Sequence, residues 1–296
     1  MEYSLFSALL HLLDDPDQQT HREAVRALIE HGQEIYEQLE TQVMNGSLRE
    51  ATQERAEHVL YKIQYECVKK KLYAALEKIP FDWINILCIL ANLQYPYLYE
   101  NTIRGGVDEI SKDIRHSLNR TQTATVKICH FNHVFYEIYG FRITSLDADW
   151  YLPNHFYIND VLAHKKGDAW VVGILYLHLA REQQLPIDGL NLDNHLLLCL
   201  RHTLRTGNAR TALPIKSNKI NICINTAESG AIISKTEIDD YLKKQKIRLS
   251  SEQLQPCPDS WVLKKMLQRM SDAYRQDNEQ ERANDLRLLA EQMPTI

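Results

Sequence analysis

The stretch Lys166–Pro186, "KGDAWVVGILYLHLAREQQLP", constrains the fold of this chain most. A turn containing Gly167 and Asp168 precedes a run that is apolar nearly all round, and such a helix is stable only when other elements cover every side of it. The start of a helix also offers unpaired N–H groups and a positive dipole end, which favour a nucleophile or an anion. The first turn here contains only side chains without a nucleophilic atom: Ala169, Trp170, Val171 and Val172.

Residues 1–140 read as helical throughout. Asp15 and Pro16 suit the N-cap and first position of a helix that the Asn-Gly pair at 45–46 ends. A further helix is predicted from about Leu48 to Glu77, and the apolar run "FDWINILCILANLQ" predicts a buried one. The segments "VDEISKDIRHSLN" and "ATVKICHFNHVFYEIYG" add two more. This part of the chain is therefore expected to form a helical module.

The character of the sequence changes after Gly140, where aromatic and turn residues become frequent. Two apolar, β-rich runs, "NHLLLCLRHT" and "NKINICINT", predict strands. From Ser260 the pattern is again helical and predicts two amphipathic helices with a polar break near Gln276–Glu279. The order of helices, a buried helix, a small antiparallel sheet and a helical hairpin predicts an α+β fold.

Composition narrows the class of protein. The 296 residues are 44% hydrophobic and 25% charged, as in ordinary soluble proteins. The net charge of −5 argues against a general nucleic-acid binder. The N-terminus does not resemble a secretory signal, and no uncharged run reaches the ~18 residues of a membrane span. Six cysteines without a C-x-x-C spacing fit a reducing compartment, so a cytoplasmic protein is expected.

Several segments, taken in order, resemble one family, the SirB-type transglutaminase-like proteins. The segments are "CHFNHVFYEIYGF" and "DWYLPNHFYINDVLAHKKGDAWVVGILYLHLAREQQLPIDGLNLDNHLLL", followed by "INTAESGAIISKTEI". The resemblance covers roughly 80–290. The residues that carry it are Asn132, Phe135, Asn154, Val161, Leu162, Lys166, Gly167, Leu175, Tyr176, Leu185, Pro186, Gly189 and His195.

The resemblance also implies a domain organisation. Residues 121–255 would form a papain/transglutaminase-like core with a small antiparallel sheet. The segment "VLKKMLQRMSDAYRQ" resembles the family's closing helices, so 256–296 would be a tetratricopeptide-like tail. The segment "LLDDPDQQTHREAVRALIEHG" resembles one HEAT-type unit within an N-terminal helical module, 1–120. A single unit of this kind must pack on the following helices, because it cannot bury its own apolar face.

Family members use a Cys at a helix N-terminus, a His from one strand and an Asp or Asn from its neighbour. The helix dipole and the imidazolium lower the thiol pKa, and the third residue orients the His. The resemblance implies that Val171, His195 and Asn225 occupy these three positions. Valine cannot act as a nucleophile, so the first position is lost while the other two are retained. Candidates for lining the cleft are Trp170, Asn194 and Cys223.

Other residues offer weaker sites. Cys223 would share a strand face with Asn225, whereas Cys199 would lie ~13 Å along the strand from His195; core packing explains both thiols more simply. The helical segment with His130, His133 and Glu137 lacks the His-x-x-x-His spacing and third ligand of a zinc site. The lysine runs "KKK" and "KKQK" fit solvated helix faces. We therefore expect neither a metal nor a cofactor.

The sequence thus favours a catalytically degenerate transglutaminase-like protein that binds another protein or regulates it, without nucleic acid or membrane as partner. The alternative is an active cysteine-protease-like hydrolase or acyl transferase that uses His195 with a non-standard nucleophile. A third option, a regulator that acts with a transcription or stress-response partner, has no direct support in the sequence. The pattern of residues specifies no oligomeric state.

Overall fold

A computed structural model of the chain describes residues 3–46, 48–78, 81–119, 121–144, 152–192, 195–205, 214–244, 246, 248 and 255–293. For 3–4, 191–192, 195, 201–205, 214–221, 235 and 241 the description covers the backbone only. The chain divides into two compact units. The first contains Met1–Pro80 and Ile89–Leu98, and the second contains Phe81–Cys88 and Tyr99–Ile296.

The first unit is built from amphipathic helices around one apolar core. The apolar residues recur at helical spacing, so each helix turns one face inward. The helices are α1 (Tyr3–Leu12), α2 (Gln18–His31), α3 (Gln33–Met44) and α4 (Glu50–Leu76). The core includes Leu13, Leu28, Ile35, Leu39, Val59 and Ile63. The prediction that the N-terminal part is helical is confirmed.

The boundaries of α2 differ from the sequence-based prediction. The prediction of a single helix from Asp15 to the Asn-Gly pair at 45–46 was wrong. The chain turns at Gly32 with a φ of 53°, a conformation that glycine adopts without strain, and α2 and α3 lie on either side. The N-cap is Asp17, whose side chain accepts a hydrogen bond from the Thr20 N–H. Asp15 instead accepts from the Asp17 N–H, so its carboxylate stabilises the turn before the helix.

The second unit contains most of the remaining helices, with α5 divided between the two units. Its helices are α5 (Trp83–Ala91), α6 (Glu100–Ser117), α7 (Ala124–Asn132), α8 (Ile158–His164), α9 (Ala169–Glu182), α10 (Lys235–Lys244), α11 (Asp259–Gln276) and α12 (Gln280–Glu291). A π-helical segment, His133–Ile138, directly follows α7. Short 3-10 turns occupy Pro153–Phe156 and Thr226–Glu228.

A four-stranded antiparallel sheet forms the β part of this unit, in the order β3-β4-β5-β6. Its strands are β3 (Ile187–Leu192), β4 (His195–Arg205), β5 (Pro214–Asn225) and β6 (Ala231–Ser234). The two central strands were predicted. The two edge strands were missed because they are short and, in β3, polar residues interrupt the apolar pattern. Separately, β1 (Arg142–Ile143) and β2 (Lys166–Gly167) form a two-residue parallel pair.

The two faces of the sheet are covered by different helices. Gly173 of α9 lies so close to the sheet that an added Cβ would approach the Leu196 Cδ2 to 2.7 Å. Alternate strand residues point to opposite sides of the sheet, and those on the other face pack on α10. The buried cluster on that face contains Leu190, Leu197, Cys199, Cys223, Ile233, Ile238 and Leu242. The sheet therefore lies between α9 and α10.

Helix α9 is the buried helix that the apolar run predicts. All eight residues from Trp170 to Leu177 are buried. The helix contacts strands β3 and β4 as well as helices α6, α8 and α11. Neighbouring elements therefore cover the apolar surface of α9 on several sides, and a helix without a polar face is stable only under this condition.

Asn132, the last residue of α7, links this helix to α9 and to the turn between β5 and β6. Its Nδ2 donates a hydrogen bond to the Gly230 carbonyl oxygen at 2.7 Å, and its Oδ1 accepts one from the Tyr176 hydroxyl at 2.8 Å. Tyr136, in the π-helical segment, donates a 3.4 Å hydrogen bond to the Thr226 carbonyl. These bonds fix α7 and α9 to the β5–β6 turn.

The Gly230→Ala substitution tests this linkage. A Cβ at Gly230 would lie 2.4 Å from the Asn132 Oδ1, which its own hydrogen bonds hold in place, and the φ of Gly230 is +75°. Gly140 has the same φ, and a Cβ added there would meet no atom within 4 Å, so Gly140→Ala is the matched control. Strain at positive φ should cost the control about 1–2 kcal/mol.

The steric overlap of the added Cβ with Asn132 should lower the free energy of unfolding of Gly230→Ala by about 1–3 kcal/mol more than that of Gly140→Ala. Urea unfolding of both variants measures the difference. Equal losses would mean that Asn132 can move away and does not fix the turn.

The C-terminal hairpin has the predicted helices and the predicted break, since α11 ends at Gln276 and α12 begins at Gln280. The apolar residues of α11 are buried as their spacing indicates. They are Val262, Leu263, Met266, Leu267, Met270 and Tyr274, and their counterparts after the break are Leu286, Leu289 and Met293. Helix α11 contacts α12, α9 and β3, so the hairpin is part of the core of this unit.

The predicted α+β class, with N-terminal helices, a small antiparallel sheet and a C-terminal helical hairpin, is confirmed. Within the described residues, no helix combines the length and the apolar character that crossing a membrane requires.

Candidate functional site

The N-terminus of α9 is the position at which the family resemblance places a nucleophile. Asp168 is the N-cap, and its Oδ1 accepts a hydrogen bond from the Trp170 N–H at 2.8 Å. Val171 and Val172 are both 0% exposed. The positive end of the helix is therefore occupied by the carboxylate of Asp168, and the first turn supplies no group that can attack a substrate.

Helix α11 covers this end of α9. Arg269 of α11 donates to the Asp168 Oδ2 at 3.2 Å, and the Asp168 side chain is only 3% exposed. The ring centroids of Trp170 and Trp261 lie 5.9 Å apart. The Nζ of Lys265 lies 5.4 Å from the centroid of the Trp261 ring. A buried ion pair and an aromatic contact thus hold the hairpin over the start of α9.

A second ion pair holds α11 at the other end of α9. Arg181 donates to both carboxylate oxygens of Asp259, at 2.6 and 3.0 Å, and to the Asp188 Oδ1 at 3.1 Å. Its Nε also donates to the Ile187 carbonyl at 3.2 Å. Burial opposes the charge on Arg181, but its hydrogen bonds to the Asp259 and Asp188 carboxylates and their negative charges outweigh this and raise the pKa of Arg181 above its usual value. The hairpin is therefore fixed at both ends of the buried helix.

The retained base candidate, His195, is the first residue of β4. Its side chain lies outside the described residues, and so does the whole of Asn194. The register gives the place of position 195, because it lies two residues before Leu197, which pairs with Asn225. Strand alternation therefore puts positions 195, 197 and 225 on one face of the sheet.

That face is the one that carries α10, whereas Leu196 lies on the face that packs on α9. The backbone register therefore does not set position 195 on the side of Val171. The predicted contact between the His195 imidazole and Val171 involves a side chain outside the described residues and stays a prediction.

The orienting candidate, Asn225, is the last residue of β5 and is buried. Its Oδ1 accepts a hydrogen bond from the Ala227 N–H at 3.1 Å, which caps the 3-10 turn after the strand. The Gly230 N–H donates to the Asn225 carbonyl at 2.9 Å. The described bonds of Asn225 thus shape the β5–β6 turn, as Asx residues commonly do.

The cysteines considered as alternative nucleophiles lie in the core. Cys199 and Cys223 are opposite each other in the β4–β5 register, and both are fully buried in the cluster against α10. Burial raises the pKa of the Cys223 thiol to about 12 and also raises the pKa of the Cys199 thiol. Both therefore remain thiols at neutral pH and lack the thiolate that nucleophilic catalysis needs.

The helical segment that the sequence analysis weighed as a metal site forms a local hydrogen bond. The His133 Nδ1 lies 2.8 Å from the Glu137 Oε2, and both side chains are exposed. Among the residues that the structure describes, no group of three His, Cys, Asp or Glu side chains could hold a metal ion.

Comparison with known families decides the assignment of the fold. The sequence model of the transglutaminase-like superfamily matches residues 101–268, more than half of the chain. The chain belongs to the transglutaminase-like superfamily. The matched region begins in α6, includes the whole sheet and ends within α11, so the transglutaminase-like domain contains every candidate site residue. No curated protein and no solved structure matches the chain.

Sequence reasoning missed the charged residues that close the start of α9 in this transglutaminase-like domain. The aspartate before the helix was visible as part of a turn, and N-cap preference could have assigned its role. Its partner, Arg269, lies 101 residues farther along the chain. No local pattern connects these two residues, and the same holds for Arg181 and Asp259, which are 78 residues apart.

Proposed function

We propose that this protein is a catalytically inactive transglutaminase-like protein that acts as a protein-binding or regulatory module. The observation that carries the proposal is the first turn of α9, where the position that the resemblance assigns to the nucleophile is a fully buried valine, Val171. The carboxylate of Asp168, paired with Arg269, occupies the helix end that would stabilise a thiolate. A buried apolar side chain at this position leaves no space or charge for a substrate.

The register of the sheet supports the same conclusion. Positions 195 and 225 lie on the face that carries α10, and α9 packs on the opposite face. In this arrangement the backbone does not direct the two retained family residues toward the helix terminus. The buried thiols nearby, with raised pKa values, offer no replacement nucleophile.

The proposal includes the finer features of the resemblance. The protein would be of the SirB type, with a HEAT-like unit in a module spanning 1–120, a core over 121–255 and a tetratricopeptide-like tail over 256–296. It would act in the cytoplasm and bind another protein. The two helical regions support a binding role, because stacked helix pairs commonly present extended surfaces to protein partners.

Activity assays of the full-length protein test the proposal. Rates with amide and thioester substrates, and with a glutamine–amine cross-linking pair, should equal those of buffer. The alternative, a hydrolase or acyl transferase based on His195, predicts an activity that His195→Ala abolishes. The control is His133→Ala, which removes an exposed histidine of the same domain. An activity lost in the first variant and kept in the second would overturn the proposal.

A further inference from the structure

A groove on the first unit runs between α2 and α4 and has a volume of about 370 Å³. Most of its lining comes from one side of α2, with a single contribution from α4. The residues that matter here are His21, Arg22, Val25, Arg26, Ile29 and, from α4, His58.

The floor of the groove is an apolar strip that the unit leaves half-buried. Ala24 and Leu28 of α2 are fully inside the core. Val25 and Ile29 follow them by one position each, so they lie on the next part of the helix surface and contact the core only partly. The apolar arc of α2 is thus wider than the part that its own unit covers. The two side chains are one turn apart, the spacing that receives a helix or a short peptide.

The walls of the groove are predominantly basic. Arg22 and Arg26 are exposed guanidinium groups, and His21 and His58 complete the polar lining. One carboxylate, Glu30, lies in the groove at 2.9 Å from Arg26. The side chains of this pair are 82% and 64% exposed, so it contributes little stability and can exchange for a partner's carboxylate.

We propose that the groove binds an acidic amphipathic helix of a partner protein. Two apolar side chains one turn apart would lie on Val25 and Ile29, and flanking carboxylates would pair with Arg22 and Arg26. The apolar floor favours a peptide over nucleic acid, which would leave Val25 and Ile29 in contact with phosphate and sugar. This proposal rests on the proposed binding function and gives it a surface and a partner chemistry.

Binding of a designed peptide to the full-length protein tests the proposal. The probe is a labelled helical peptide of about 15 residues, with leucines at i and i+4 and flanking glutamates. Fluorescence anisotropy should show saturable binding, with Kd below about 1 mM. The Arg22→Glu/Arg26→Glu variant should bind at least tenfold more weakly. The matched control, Lys70→Glu/Lys71→Glu, makes the same change in charge at exposed positions of α4 outside the groove and should bind like wild type.

Two further probes and a measurement of self-association separate the possible occupants. A peptide with glutamines in place of the glutamates should bind at least tenfold more weakly, and a single-stranded DNA of similar length should not compete. Equal weakening in both charge variants, equal binding of the glutamine peptide, or stronger binding of DNA would overturn the proposal. So would absence of binding by the acidic peptide, or a self-association that only Arg22→Glu/Arg26→Glu abolishes, which would assign the groove to a second copy of the chain. None of these results depends on His195, so an active enzyme would overturn the proposed function and leave this test unaffected.

Discussion

Replacing Leu267 with alanine should lower the free energy of unfolding by about 2–5 kcal/mol, because a cavity forms in a fully packed part of the core. Leu267 is 0% exposed on α11, and this helix contacts α9, α12 and β3. Denaturant unfolding followed by circular dichroism measures the change. The effect would show that the hairpin is an integral layer of the second unit.

Leu288→Ala is the matched control for this prediction. Leu288 lies on α12 of the same hairpin and is 42% exposed, so its truncation should cost less than about 1 kcal/mol. If both variants lost equally little stability, α11 would not be packed against the buried helix, and the closed start of α9 would lose its structural basis.

The second large effect is expected at Asp168. The Asp168→Ala substitution removes the N-cap of α9 and leaves the partly buried guanidinium of Arg269 without this carboxylate. Loss of the cap costs about 1 kcal/mol, and removal of one partner of a buried ion pair costs about 3–5 kcal/mol. Because Arg269 retains some exposure, we expect a total near the lower end of the sum of these two losses, about 4 kcal/mol. Thermal and urea unfolding of the full-length protein measure it.

A second variant separates the cap from the ion pair, and a third is the control. Asp168→Asn keeps an acceptor for the Trp170 N–H and removes the charge, so it should lose only the ion-pair part. Glu291→Ala removes one partner of an exposed pair with Arg287 on α12 and should cost less than about 1 kcal/mol. An Asp168→Asn protein as stable as wild type would show that the pair with Arg269 contributes nothing to holding α11 over α9.

These two substitutions also bear on function. They act on contacts that close the start of α9, where a transglutaminase-like enzyme needs an open, polar position for its nucleophile. Under the proposed function, α9 is a structural element that core packing and a buried ion pair hold in place. The binding surface proposed for the first unit is consistent with that, since it lies on α2 and α4 and requires no open cleft.

The sequence alone determined the main features of the fold. The apolar run after Asp168 requires a helix covered on several sides, and α9 is that helix. The predicted helix over 48–77 is observed as α4, Glu50–Leu76, and the two β-rich runs became the central strands. The lack of a nucleophile at position 171 is likewise a property of the sequence. Each of these features follows from the periodicity or the residue types within one segment, so that segment alone is enough to predict it.

Only the tertiary structure decided which faces and which distant residues meet. The register of β4 against β5 sets positions 195 and 225 on the same face, toward α10, and a shift by one residue would have put them on opposite faces. The pairing of Asp168 with Arg269 also lay outside sequence reasoning. The periodicity of apolar residues predicts which side chains are buried, but it does not identify the residues that they contact. Contacts between residues a hundred positions apart depend on how the helices and the sheet pack together, and no short segment contains that information.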